Sequence, residues 1–235
     1  MIKKASLSLL SFLLLTRVAY TEPSVEPEKI PATVAQGEAT AQLHREAMCK
    51  QEYGILQDYS EALKWYRLAA QQGNADAQNN LGMMYYNGDG APQNYAEALK
   101  WYQLAAQQGH ADAQNNLGAM YYNGDGIPQN YAEALKWYRL AAEQGNPDGQ
   151  YNLGIMYDNG DGVLQDYAEA VKWYHLAAEK GVADAQLALG IAYLNGNGVV
   201  QNKDTAKELL SKACENGIQK ACDELQLLTM PAIKP

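Results

Sequence analysis

The chain has 235 residues, 27 acidic and 18 basic side chains, and a formal net charge of −9. No basic cluster interrupts that acidity, so nucleic acid and anionic membrane surfaces are poor partners. The three His form no ligand pair on one helix face, so no metal is expected, and no cofactor is expected.

The first element, residues 1–21, reads as a signal peptide. Lys3 and Lys4 form a positive start, 5–15 is an apolar run, and Ala19 and Thr21 put small residues at a cleavage site. The mature chain would then start at Glu22, in the periplasm or outside the cell. A retained anchor helix is the alternative, because Arg17 interrupts the run. No Cys follows that run, which speaks against a bacterial lipid anchor. Loss of Lys3, Lys4 and Arg17 takes the formal charge from −9 to −12. Residues 22–38 are rich in Pro and Glu without apolar periodicity, and read as a disordered acidic leader.

From 39 onward the chain repeats itself. Five units of 36 residues fit without a gap: 39–74, 75–110, 111–146, 147–182 and 183–218. The second and third differ at only five of 36 places. A fixed period of this length marks a stacked solenoid. Trp65, Trp101, Trp137 and Trp173 share one phase, each followed by Tyr, and the fifth unit has Leu209 and Leu210 there. The first unit carries Arg45-Glu46 where the others have Leu-Gly, an atypical end expected of a solenoid.

Each unit predicts two helices. In the second, helix A covers about 75–86, with Ala77, Leu81, Met84 and Tyr85 at helical spacing. Asn87-Gly88-Asp89-Gly90 then ends it. Asn94 and Glu97 form a capping box for helix B, repeated as Asp58/Glu61, Asn130/Glu133 and Asp166/Glu169. Helix B runs to about 108, where Gly109 stops it. Pro147 suits a first helical turn. The apolar face of helix B is wide, so it must touch both its partner and a neighbouring unit. Gly82, Ala98 and Ala105 allow close approach, and Trp137 is expected to be largely buried between helix A and the next unit. A closing helix over 219–228 and a tail, 229–235, follow.

Cys214 and Cys222 flank the turn Asn216-Gly217. That spacing can bring them together across a helical hairpin, and in an exported chain they read as a disulfide. Two free thiols are the alternative. Cys49 has no partner and reads as a small core residue.

The motif Ala-x-Ala-Gln-x-x-Leu-Gly-x-x-Tyr-x-x-Gly-x-Gly, then Asp/Asn-Tyr-x-Glu-Ala-x-x-Trp-Tyr-x-x-Ala-Ala-x-x-Gly, is met repeatedly in phase. It resembles the Sel-1-like repeat family, a relative of the tetratricopeptide repeats. The resemblance implies an all-α, right-handed α/α superhelical solenoid over 39–228 that serves protein–protein interaction. The Cys214/Cys222 spacing also resembles the bridge of that family's cysteine-rich secreted branch.

Catalytic signals are weak. The loop at 158–162 lacks the converging carboxylates and distal Glu of a calcium site. His44, His110 and His175 fall at different repeat phases. Ser24, Ser60 and Ser211 sit in no nucleophile motif. Glu61 and Glu97 could suggest glycan hydrolysis but occupy capping positions. A cell-envelope hydrolase of the β-lactamase-like or peptidoglycan-acting type is therefore the alternative to a non-enzymatic scaffold.

By analogy with tetratricopeptide repeats, helix A lines a concave groove for a protein or extended peptide. In the second unit this brings forward Asp76, Asn79 and Tyr86. In the third it brings forward Asp112, Asn115 and Tyr122. In the fourth it brings forward Asp148, Tyr151 and Asp158. Asn amides can donate to and accept from a peptide backbone, and Tyr supplies contact area with a polar tip. The alternative for Asn80 and Asn116 is a bond within the stack. A monomer is expected.

Overall fold

One helical length dominates the protein. In the computed structural model, which describes residues 59–229, nine successive helices have 13 residues each. They are α1 (Tyr59–Gln71), α2 (Ala75–Asn87), α3 (Tyr95–Gln107), α4 (Ala111–Asn123), α5 (Tyr131–Glu143), α6 (Pro147–Asn159), α7 (Tyr167–Glu179), α8 (Ala183–Asn195) and α9 (Lys203–Glu215). The closing helix is α10 (Gln219–Thr229). Even-numbered helices are the A helices of the repeat and odd-numbered ones the B helices. No strand occurs among the described residues. The expected signal peptide, acidic leader, first A helix, Cys49 and last residues of the tail lie outside the described residues.

The caps follow the sequence with one difference. Asn94 Oδ1 accepts the Glu97 N–H at 3.1 Å, as expected. The reciprocal half of the capping box does not form. The Asn94 N–H donates instead to the Tyr85 carbonyl at 2.8 Å, across the loop. Glu97 thus turns to Lys100, 3.9 Å away, and Glu133 to Lys136. On the A helices the cap is the last residue of the preceding unit. Asn146 accepts from the Gly149 N–H at 2.7 Å, and His110 Nδ1 does the same for Ala113 at 3.2 Å. Val182 cannot, and α8 has no side-chain cap.

The core is a series of small clusters, one at each junction, as expected when each unit touches only its neighbours. Leu81, Leu117 and Leu153 are fully buried. Beside them, Gly82, Gly118 and Gly154 lie flat against the rings of Tyr102, Tyr138 and Tyr174. Trp137 departs from expectation. It is only half-buried, and it packs on the cluster shared by α3 and α4, toward the preceding unit. The next unit's A helix meets the Tyr138 side of α5 instead.

Cys214 and Cys222 form a disulfide that ties α9 to α10, with the two Cα atoms 4.8 Å apart.

Candidate functional site

The candidate site is the row of A helices. The side chains expected to line it divide into those that hold the stack together and those left facing outward.

Asn79 and Asn115 belong to the stack. Asn116 Nδ2 donates to Asn79 Oδ1 at 3.0 Å, and Asn152 Nδ2 donates to Asn115 Oδ1 at 2.9 Å. Asn79 is buried and its own Nδ2 lies near the Met83 sulfur. A bonded, buried amide is a weak handle for a ligand. The even choice left open for Asn116, a bond within the stack, is the arrangement seen, and it takes up its Asn79 partner as well.

Tyr86 and Tyr122 reach one unit onward. Tyr86 OH donates to Asp125 Oδ2 at 2.8 Å, and Tyr122 OH to Asp161 Oδ2 at 2.9 Å. Each of these carboxylates also accepts from the Asn two residues before it, Asn123 or Asn159. The Asp of the Asn-Gly-Asp-Gly loop is thus an acceptor for the previous unit. Burial, followed by the Asp125 hydrogen bond and charge, pushes the Tyr86 phenol up to about 12. Tyr122 is raised by the same causes from Asp161. Both rings face a second Tyr, Tyr95 and Tyr131, with centroids 5.1 Å apart.

Asp76, Asp112 and Asp148 remain exposed in one phase. His110 Nε2 lies 2.9 Å from Asp76 Oδ1, and Asn146 Nδ2 donates to Asp112. Because His110 Nδ1 accepts the cap bond, its Nε2 carries the proton. In the repeat register Val182 stands where His110 and Asn146 stand, and its side chain has nothing to donate to Asp148.

One part was missed by sequence reasoning: the Gln of Ala-x-Ala-Gln. Gln78 and Gln114 are buried. They donate to the carbonyls of Ala70 and Ala106 at the end of the preceding B helix. They also accept from Gln108 and Gln144, at 2.7 and 2.6 Å. Its recurrence with a second Gln 30 residues on was the available signal. In the fourth unit Lys180 replaces that second Gln and bonds the Gly145 carbonyl instead. Gln150 Oε1 is left buried with no partner.

The Gln pairing resumes in the fifth unit, where Gln186 donates to the Ala178 carbonyl and accepts from Asn216, but the Asn and Tyr–Asp ladders stop at the junction of the fourth and fifth units. Tyr151 stands where Asn79 and Asn115 stood, and Ala188 where their donors stood. Tyr151 stacks toward Tyr174 with centroids 5.9 Å apart, and burial, then the charge of Asp184, raises its phenol. Asp158 replaces Tyr, and it accepts from Tyr174 OH at 3.1 Å. Asn197 replaces the Asp it would have met. Leu164 and Val200 replace the loop Pro of earlier units, and both are 88% exposed.

Among the described residues no group of His, Cys, Asp and Glu could hold a metal. Nor is any helix there long and apolar enough to cross a membrane.

The profile of the Sel1 repeat matches residues 47–74, 75–110, 111–146, 147–182 and 183–218. A search of curated proteins returns no match. The chain is similar to a Sel1 repeat protein from Oxalobacter formigenes at 36% identity and a TM-score of 0.74, covering 85% of this chain and 80% of that one. It is also similar to c5321, a protective antigen present in uropathogenic Escherichia coli strains, at 32% identity and a TM-score of 0.57. That match covers 87% of this chain but spans only 54% of the relative. A third likeness, to the immunity protein Pa5087 from Pseudomonas aeruginosa, has 23% identity and a TM-score of 0.54, covers 82% of this chain and 70% of that one, and concerns the fold alone. With the repeat profile in phase along five units and these solenoids as its relatives, the chain belongs to the Sel1 repeat family.

Proposed function

We propose that this chain is an exported, non-enzymatic scaffold that binds an extended segment of a protein along its A helices. Sel1 repeat proteins generally serve as protein–protein interaction scaffolds. The observation that carries the reading is the exposed row Asp76, Asp112 and Asp148 in the first turn of three successive A helices, with the half-buried Tyr86 and Tyr122 at the far ends of two of them and Tyr151 in the third. The acid repeats in one phase once per unit, at the spacing of the helices. Adjacent A helices α4 and α6 touch directly, as the inner wall of a curved stack would. The Asn79 and Asn115 amides act from behind, by fixing that spacing. The acidic row favours a neutral or basic segment and a salt-sensitive association rate.

Export rests on the expected signal peptide and on the Cys214–Cys222 bridge, since such bridges persist in oxidising compartments. The uropathogenic relative is a protective antigen, which agrees with a chain that leaves the cytoplasm.

The test is selection of peptides from a displayed library against the mature chain. The affinity of the selected peptide is then measured for the triple variant Asp76→Asn, Asp112→Asn, Asp148→Asn. Weaker binding and a flatter salt dependence are expected. Unchanged affinity with the fold intact would move the site off the A helices. Cell fractionation with the mass of the mature N-terminus decides export, and light scattering decides the monomer.

A further inference from the structure

The break at the fourth and fifth units leaves a space. In the two earlier junctions a Tyr ring, Tyr86 or Tyr122, fills the corner between an A-helix end and the next loop. At the last one Asp158 is too short to do so. The result is a pocket of about 40 Å3 whose walls include Asp158, Tyr167, Val171, Tyr174, Ile191 and Asn197. The exposed Leu164 and Val200 occupy the loops of the same two units.

The charge is rearranged as well as the shape. At the earlier junctions the carboxylate lies in the next unit's loop and is satisfied by the phenol. Here the carboxylate lies in the pocket itself. One oxygen, Oδ2, accepts from Tyr174 OH. Among the described residues no ion pair involves Asp158. Its expected loop partner is now Asn197, whose amide oxygen is a second acceptor. The Tyr167 ring, freed of the ring partner that Tyr95 and Tyr131 have, is exposed. Val171 and Ile191 supply an aliphatic wall.

We propose that this pocket takes a lysine side chain of the bound segment. The methylenes would lie along Val171 and Ile191, and the ammonium would meet Asp158 and the face of Tyr167. With Oδ2 engaged by Tyr174, Asp158 does not offer two free oxygens to the fork of a planar guanidinium, and a compact ammonium suits it better. A bare divalent cation would find one carboxylate where it needs several oxygens. The inference rests on the peptide-binding reading above and names the residue type that it would recognise at one end.

The test uses the mature full chain in a two-dimensional amide NMR titration. The probes are Nα-acetyl-lysine methylamide, its norleucine counterpart and its arginine counterpart. The lysine probe should shift the Asn197 side-chain amide and backbone amides within 167–174 saturably. The norleucine and arginine probes should bind at least about tenfold more weakly. Asp158→Asn should weaken the lysine probe by about tenfold or more while the spectrum stays dispersed. Asp158→Tyr with Asn197→Asp should rebuild the earlier junction, close the pocket and abolish the shifts. If that double variant does not fold, Asp158→Asn decides alone. Equal binding of lysine and norleucine, no saturable shift, or an unaffected Asp158→Asn variant overturns the proposal. If a selected peptide binds but ignores Asp158→Asn, this inference fails while the acidic-row reading stands.

Discussion

Gly118 and Tyr138 lie so close that a Cβ on the glycine would sit 2.7 Å from the ring Cδ1. The contact fixes the separation of α4 and α5 and holds a flat face where most helices carry a side chain. Gly118→Ala adds helix propensity of about 1 kcal/mol. The overpacked ring costs about 1–3 kcal/mol. A net destabilisation by urea unfolding is expected. Gly190→Ala should cost less, because its neighbour Leu210 is flexible and first met at 3.0 Å. The two variants behaving alike would mean the tyrosine ring can move aside.

Asn79→Ala strands the Asn116 donor, and should cost about 1–2 kcal/mol. A double-mutant cycle with Asn116→Ala isolates the pair, and a coupling near zero would return Asn79 to the list of free contact residues.

Lys180→Gln should place a donor beside the orphaned Gln150 Oε1, as Gln144 does for Gln114. The variant also gives up the Lys180 bond to the Gly145 carbonyl at the surface. A modest gain, about 0.5–1 kcal/mol, is expected in chemical denaturation. A loss would show that the surface bond matters more than the buried vacancy.

The phenols titrate late in the folded chain. Burial raises Tyr102, Tyr138 and Tyr174 strongly, and Tyr86 to about 12. A raised folded value means that the neutral form is favoured by folding. The stabilisation is complete below the ordinary tyrosine value near 10, and is lost as pH rises from there toward 12 and beyond. Ultraviolet titration should therefore show delayed ionisation, with unfolding in that alkaline range. Tyrosines that ionise normally in a chain whose circular dichroism is unchanged would contradict the burial.

Replacing Cys214 and Cys222 by Ser should cost on the order of 2–3 kcal/mol. Hydrogen exchange should rise in α9 and α10 first, since each unit leans only on its neighbours. In oxidised protein, alkylation without reductant should mark Cys49 alone.

Much of this was legible because period is a strong signal. Helix lengths, the Gly stops and the Asn and Asp caps follow from local chemistry repeated in phase. The second half of the capping box was not, because Asn94 finds the Tyr85 carbonyl only when the loop has folded. Trp137 was misplaced because the width of an apolar face does not say which neighbour it meets. A bond within the stack was open for Asn116, but its partner Asn79 and the Gln pairs were missed for a similar reason. Asn79 and Asn116 are 37 residues apart, and only the stacking distance makes them partners.

The same spacing has a consequence for the chain's growth and shrinkage. Excision of residues 111–146 would set Asn152 opposite Asn79 and Asp161 opposite Tyr86. Those are the pairings already in use at each seam. The seam would close with the same chemistry it had before the cut. Duplication of that stretch would work equally well in reverse. Length is thus adjustable in steps of one unit in the middle of the array. The fourth and fifth units do not share this freedom, because excision of residues 147–182 would set Asn197 opposite Tyr122 and Ala188 opposite Asn115, in place of the Asp and Asn those side chains now meet.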